Sequence, residues 1–421
     1  MFETEQELEK VILVGVSEAG NSRDMLSDID ESLSELEELC RTAGAVTVGR
    51  VVQNRDAVHP GTYIGKGKLD EVAALLRETG AHGIVTDDEL TPAQMKNLED
   101  ALDTKVMDRT LLILDIFAKH ASTREGKLQV ELAQLRYRST RLAGFGTSMS
   151  RLGGGIGTRG PGEKKLEVDR RLIRNRISQL RRELEEMKIG RDMLRANRKR
   201  SAIPVVAIVG YTNAGKSTLL NYLTDAGVLS EDQLFATLDP TTRSCRLESG
   251  QEILFTDTVG FIRKLPHHLV EAFRSTLEEA RYADVILHLV DASSETADVQ
   301  MHVVYDTLAR LEVGDKPVIT AFNKQDRENV QALKDLKADK SVKISAKTGQ
   351  GVPELLAAVE EVLREQKVYL ERTFPYAEAG RISLVRKVGQ LLEEEYREDG
   401  IFVRAYLPRE YAEKLGKDRE G

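Results

Sequence analysis

The sequence predicts a multidomain α/β protein. Its parts are an N-terminal α/β domain, a helical hairpin arm, a second α/β domain with a mostly parallel sheet, and a small C-terminal α/β domain. Three observations carry that prediction. Short apolar runs alternate with helical spacing in two separate blocks, as in parallel sheets covered by helices. A highly charged helical stretch, interrupted once by glycines, lies between the blocks. The 421 residues give room for several cores.

The elements follow in chain order. EKVILVG (9–15), AVTVGRVVQ (45–53) and HGIVTD (82–87) read as buried strands. SLSELEELCRTA, KLDEVAALLRETG and TPAQMKNLEDAL read as helices, the last with Thr91 as N-cap and Pro92 at its first position. These form a domain over 1–120. EGKLQVELAQLRYRSTRLAG and the stretch from Glu163 to Arg200 are helical on either side of SRLGGGIGTRGPG, which predicts an arm over 121–200. From Pro204 the candidate strands are VVAIVG, EILFTDT, DVILHLVDA, KPVITAFNK and VKISA, a domain over 201–366. The tail, 367–421, reads as a strand VYLERTFP, a helix LVRKVGQLLEEEYRED, a strand IFVRAYLP and a short helix.

Composition narrows the classes. Charged residues are 31% and aromatics 5% of the chain, with no Trp. Cys40 and Cys245 are the only cysteines, too few for a disulfide framework or a cysteine-built zinc site. MFETEQELEK lacks the basic and apolar regions of a secretory signal, and TLLIL and VVAIVG are too short to span a bilayer. A cytoplasmic protein without a membrane span is expected. Charge is uneven. Residues 122–200 hold 21 Arg and Lys against nine Asp and Glu, a net of +12, which leaves −20 for the rest of a chain whose total is −8. One basic segment in an acidic protein suggests a polyanionic partner touching that segment; the bland alternative is a solvated helix face with partly paired charges.

The chemistry lies in an ordered series. Gly210-Tyr211-Thr212-Asn213-Ala214-Gly215-Lys216-Ser217, followed by Thr218, is a P-loop between an apolar strand and a helix. Its backbone wraps phosphates, Lys216 reaches the β and γ phosphates, and Ser217 ligates Mg²⁺. Asp257-Thr258-Val259-Gly260 ends a strand, so that Asp257 holds magnesium through water and the Gly260 N–H meets the γ-phosphate. Asn323-Lys324-Gln325-Asp326 ends another. The Asp326 carboxylate can accept from the N1–H and 2-amino group of guanine, donors that adenine lacks there. Lys324 lies along the base and Asn323 ties this loop to the P-loop. Ser345-Ala346-Lys347 offers backbone N–H groups to the guanine carbonyl. In this order, at the carboxyl ends of strands, the segments indicate a site for GTP or GDP with Mg²⁺.

A switch threonine comes from FATLDPTTR, which covers Phe235, Ala236, Thr237, Leu238 and Asp239. Thr237 is preferred for Mg²⁺ and γ-phosphate because it lies nearer the P-loop along the chain; Thr241 and Thr242 stay open. Lys216, Thr237 and Gly260 are the expected catalytic groups, with Ser217 and Thr237 as metal ligands. Phe261 stands where Ras-like enzymes orient water with a Gln. It either packs, with a polar group nearby acting in its place, or marks slow hydrolysis that a partner accelerates.

These segments, with DTVGFIRKLPHHLVEAFRSTLEEA, RLGGGIGTRGPGEKKLEVDRR, HPGTYIGKGKLDEV, DDELTPAQMKNLE and VMDRTLLILDIFAKHASTREGKLQVELAQLRY, resemble the HflX family of translation-associated GTPases over roughly 9–366. The resemblance implies a cytosolic GTP hydrolase that binds ribosomes, chiefly the large subunit and its rRNA, with the N-terminal domain and arm directed at the peptidyl transferase centre. It also implies splitting of stalled or idle ribosomes under stress such as heat, and has a link to large-subunit assembly. The family shares a hydrophobic residue at the Phe261 position. A monomer is expected. The rival readings are an assembly GTPase and a GTP-switched protein-binding module without RNA contact.

Two glycine-rich loops need separate treatment. GIGTRG (155–160) matches a dinucleotide fingerprint but follows a helix and leads to no ribose-binding acid, so it is expected to be an RNA-facing loop at the arm's tip, or a hinge. GTYIGKGKLDE (61–71) has the wrong spacing for a P-loop and reads as a helix entry, although Lys66 and Lys68 can meet RNA phosphate. His267 and His268 have no third ligand nearby, which argues against a metal.

Overall fold

The computed structural model describes residues 8–18, 24–149, 161–201, 203–224, 234–235, 240–264, 279–408, 411–412 and 415. The chain divides into two compact units. One comprises Met1–Glu186, Gln233–Leu238 and Arg263–Phe273; the other comprises Met187–Asp232, Asp239–Ile262 and Arg274–Gly421.

The first unit begins β1 (Glu9–Glu18), α1 (Asp24–Ala43), β2 (Ala45–Arg55), α2 (Lys66–Thr79), β3 (Gly83–Thr86), α3 (Pro92–Leu102), β4 (Lys105–Asp108) and α4 (Arg109–His120). The four strands are parallel in the order β2-β1-β3-β4. Ile12, Val14, Val51, Ile84 and Val106 from the strands bury against Val72, Leu76 and Leu98 of α2 and α3. Thr91 and Gln94 close a reciprocal capping box under Pro92, which fixes where α3 starts. GTYIGKGKLDE is a helix entry: α2 opens at Lys66, and the Gly65 N–H is held by Gln53 Oε1 at 2.7 Å.

β4 and α4 are not predicted by the sequence. KVMD is only four residues long, and its burial comes from pairing with β3. The same region hides an ionic cluster. Arg109 is fully buried and donates to Asp87 Oδ1 (2.7 Å), the Ser32 carbonyl (2.8 Å) and Glu35 (3.2 Å). Such a charge stays inside only because each donor has an oxygen to meet.

α5 (Arg124–Met149) and α6 (Pro161–Ser201) form the arm. Three contacts show that they run antiparallel: Arg124–Glu183, Arg176–Glu131 and Arg170 Nη2 to the Leu142 carbonyl. The partner's number falls as the residue number in α5 rises. GIGTRG lies outside the described residues.

The second unit continues β5 (Val205–Gly210), α7 (Lys216–Thr224), β6 (Thr241–Arg246), β7 (Glu252–Asp257), β8 (Val285–Asp291), α8 (Ala297–Arg310), β9 (Val318–Asn323), β10 (Lys340–Lys343) and α9 (Val352–Glu365). The sheet order is β10-β9-β8-β5-β7-β6, parallel except for β6 on β7. β6 is not predicted by the sequence, since FATLDPTTR, which overlaps its first three residues, reads as a switch segment. β10 begins two residues before VKISA and stops at Lys343, so Ser345, Ala346 and Lys347 leave the sheet as a loop. Ile208, Phe255, Leu287 and Ile319 build the core with Leu219, Leu355 and Val359 from α7 and α9.

β11 (Val368–Phe374), α10 (Ala379–Val388), β12 (Gln390–Arg397) and β13 (Gly400–Leu407) follow as a three-stranded antiparallel sheet, β11-β13-β12, with α10 packed on it. LVRKVGQLLEEEYRED was expected to be one helix; half of it is β12. The helix ends at Val388, and β12 pairs with β13 across a two-residue turn at Glu398 and Asp399. Among the described residues no helix is long and apolar enough to cross a membrane.

Candidate nucleotide site

In the second unit the predicted segments gather at the carboxyl edge of the sheet. β5 ends in Gly210, β7 in Asp257, β8 in Asp291 and β9 in Asn323. The connection out of β5 leads to one side of the sheet and β8 lies on the other, so the loop 210–217 sits at the point where strand order reverses. Open α/β sheets bind ligands in that crevice.

The loop is bound to its neighbours by specific atoms. Asn323 Nδ2 donates to the Ala214 carbonyl at 2.8 Å, and Asn323 Oδ1 accepts from the Ala346 N–H at 2.9 Å. One buried amide therefore ties the P-loop to both candidate base-side segments. Gly215 has φ +95°, and a Cβ there would lie 2.4 Å from Asn323 Nδ2, so only glycine permits this link. Ser217 Oγ donates to Asp257 Oδ2 at 2.8 Å. A hydroxyl and a carboxylate side by side are hard oxygen donors, the type that magnesium takes.

Lys216 is buried and donates to the Tyr211 carbonyl at 2.8 Å and the Gly210 carbonyl at 3.3 Å. Burial pushes its ammonium down to about 8, with the Asp257 carboxylate opposing and Lys324 assisting that shift. Lys324, at φ +66°, pairs with Asp291 Oδ2 at 2.8 Å. Asp326 Oδ1 accepts from Ser345 Oγ at 2.7 Å, and that hydroxyl holds the carboxyl below its usual range. Ser345 thus contributes its side chain as well as the backbone N–H that the sequence predicts for this segment. Thr258 is buried and donates to the Ile208 carbonyl at 2.8 Å. Val259, Gly260 and Phe261 are buried beside it.

Phe261 packs. It is 1% exposed, and its backbone forms a β-bridge with Tyr211: Phe261 N–H to the Gly210 carbonyl at 3.0 Å, Thr212 N–H to the Phe261 carbonyl at 2.8 Å. Asp257–Gly260 is thereby stitched to the P-loop.

Not every predicted residue belongs to this gathering. Ala236, Thr237, Leu238 and Asp239 lie outside the described residues, as do His267 and His268. Phe235 belongs to the first unit and meets Phe117 edge-on at 4.7 Å. Thr242 is engaged by Thr256, hydroxyl to hydroxyl at 2.9 Å, and Thr241 lies opposite Asp257 on the edge strand. Lys264, in the first unit, pairs with Asp87 and with Asp88 at 2.7 Å, a contact no motif announced.

Comparison with known proteins agrees with this arrangement. Three family models match consecutive stretches: "GTP-binding GTPase N-terminal" over 30–118, "GTP-binding GTPase Middle Region" over 120–198 and "50S ribosome-binding GTPase" over 205–324. "GTPase HflX" of Lacrimispora saccharolytica is 61% identical over 421 residues, covering 100% of this chain and 98% of that protein. The chain belongs to the HflX family of GTPases. Its fold is a mixed α/β multidomain structure with a P-loop GTPase domain, and as an HflX GTPase it hydrolyses GTP. "GTPase HflX" of Caldanaerobacter subterraneus subsp. tengcongensis is 48% identical over 99% of this chain and 95% of its own length. A solved structure of a GTP-binding protein from the archaeon Sulfolobus solfataricus in complex with GDP shares 24% identity, spans 85% of this chain and 99% of that one, and has a TM-score of 0.44.

Proposed function

We propose that this HflX GTPase is a cytoplasmic, monomeric protein that binds the large ribosomal subunit in its GTP state and separates the subunits of stalled or idle ribosomes under stress. GTP lies on the 210–217 loop. Lys216 meets the β and γ phosphates, and Gly260 offers its N–H to the γ-phosphate. Asp326 reads guanine, with Ser345 bracing its free rotation and Ala346 and Lys347 closing over the base. Ser217 holds Mg²⁺ directly, with Asp257 behind it, and Thr237 adds a second ligand when GTP is bound. When bound there, Mg²⁺ would supply neutralisation of the charge that develops on the phosphates. The residues fit such an ion: the Ser217 hydroxyl and the Asp257 carboxylate, 2.8 Å apart, are the hard oxygen donors that magnesium takes.

The observation that carries the nucleotide half is the Asn323 amide, which joins the P-loop carbonyl of Ala214 to the Ala346 N–H. The ribosomal half draws on the match of residues 205–324 to the 50S ribosome-binding GTPase family and on the net +12 of residues 122–200. Phe261 is buried and apolar, so a slow isolated enzyme accelerated by its partner is the expected kinetic behaviour. Light scattering of intact ribosomes tests the splitting step: scattering falls on addition of protein with a non-hydrolysable GTP analogue and stays level with GDP. An unchanged signal with both, alongside accumulation of immature large subunits on depletion, favours the assembly role instead.

A further inference from the structure

The active centre has a side chain whose chemistry is at odds with its surroundings. Thr212 is 6% exposed, and its Oγ1 is buried with no hydrogen-bond partner among the described residues. A hydroxyl left dry and unpaired destabilises a fold, and valine would fill the same space without that cost. Its position is fixed from both sides. The bridge between Tyr211 and Phe261 holds the Thr212 N–H on the Phe261 carbonyl at 2.8 Å. A Cβ on Gly260 would lie 2.9 Å from both Thr212 Cα and Cγ2, and 3.0 Å from Lys216 Nζ. Three groups therefore converge on one small space: Thr212 through its Cα and Cγ2, the Gly260 backbone and the Lys216 ammonium. The last two are those expected to meet the terminal phosphate, and the Phe261 side chain next door has no polar atom to offer. A turn about the Thr212 Cα–Cβ bond, from one staggered rotamer to another, puts Oγ1 in the place of Cγ2.

We infer that Thr212 is a catalytic residue whose hydroxyl donates a hydrogen bond to the terminal phosphoryl group of GTP during hydrolysis. Water oxygen bonds to the γ-phosphorus as the bond to the β–γ bridging oxygen breaks, giving GDP and inorganic phosphate. The water's proton leaves with the phosphate, and Thr212 gives up none. Its hydrogen bond stabilises charge on the phosphoryl oxygens as the bond to the leaving group lengthens. A threonine at this site trades stability of the nucleotide-free protein for rate, as active sites commonly do.

The inference rests on the placement of GTP on the 210–217 loop, and the test separates the two. Thr212→Val and Thr212→Ser are compared with the natural full-length protein by single-turnover hydrolysis at saturating GTP, by GDP binding and by thermal unfolding without nucleotide. Thr212→Val is expected to hydrolyse about tenfold slower or worse. It should bind GDP within about twofold of the natural protein, because the lost bond is to the third phosphate, and unfold at the same or a higher temperature. Thr212→Ser, which keeps the hydroxyl, should recover most of the rate. Hydrolysis by Thr212→Val at the natural rate overturns the inference, as does a Thr212→Ser rate equally low. Lys216→Ala serves as the control on the site: if it keeps full GTP affinity, the loop is misplaced and both readings fall. If it loses affinity while Thr212→Val hydrolyses normally, only the role of Thr212 falls.

Discussion

At the residue scale, we propose that one carboxylate, Asp326, decides which purine is bound. Asp326 is ionised and braced by Ser345, and it lies on the loop that Asn323 fastens to Ala214. Asp326→Asn replaces an acceptor pair with an amide that both donates and accepts. Guanine then loses one bond and leaves a donor opposed, whereas xanthine offers a carbonyl at its 2-position. GTP affinity is expected to fall about a hundredfold or more, with xanthosine triphosphate bound more tightly than GTP; competitive binding of the two nucleotides measures it. Equal GTP affinity in the variant would remove Asp326 from the base pocket. The P-loop, Asp257–Gly260 and Asn323–Asp326 were legible in the sequence because phosphate and guanine demand fixed residue types at fixed spacing. Ser345 Oγ, the Lys324–Asp291 pair and the Thr212 hydroxyl were not, since each depends on which strands the fold makes adjacent.

At the element scale, a buried polar knot joins β8, β9 and α8. Asp335 Oδ2 accepts from Tyr305 Oη and from Thr320 Oγ1, both at 2.6 Å, and Asp335 Oδ1 accepts from the Lys337 N–H at 3.0 Å. His288 Nδ1 lies 3.8 Å from the same carboxylate. Burial alone would raise the Asp335 carboxyl, but His288, Thr320, Tyr305 and the Lys337 N–H together hold it well below the usual carboxylate range. Burial also pushes the His288 imidazole down, against the pull of Asp335. Both depressed groups act with one sign. The unfolded chain takes up protons at a higher pH than the folded one does, so stability is full above the unfolded values and is lost on acidification. The loss starts near the ordinary histidine value of about 6.5 and steepens below the ordinary carboxylate value of about 4. Asp335→Asn should cost about 2–4 kcal/mol at neutral pH, read from urea unfolding, and should flatten the acid limb. A urea midpoint equal to that of the natural protein would show the knot to be energetically idle. No motif marks this cluster: the four residues are ordinary in sequence and meet only through sheet order. The same reason explains the missed strands. LLEEEYR has helix-forming residues, and pairing with β13 overrides that local preference. The arm helices, by contrast, were legible from their periodicity, because little but their own pattern determines them.

At the scale of the whole molecule, an acidic chain carries a basic antiparallel arm. Part of that charge is spent internally. Arg176 grips Glu131 through two bonds, of 2.7 and 2.8 Å, and Arg170 caps the Leu142 carbonyl. Arg171 and Arg174 are exposed on the same helix. Solvent-facing cations serve phosphate better than paired ones. Reversing Arg171 and Arg174 to Glu is therefore expected to weaken ribosome binding and reduce its salt dependence, whereas nucleotide affinity stays within about twofold. Binding indifferent to salt and to these charges would favour a protein partner without RNA contact.

In the proposed function, the nucleotide on the 210–217 loop governs engagement of the large ribosomal subunit. Cosedimentation of the full-length protein with isolated large subunits, in a non-hydrolysable GTP analogue and in GDP, tests it most directly. The protein is expected to pellet with subunits in the analogue and to remain largely in the supernatant in GDP. Equal pelleting in both states, or none in either, would contradict it.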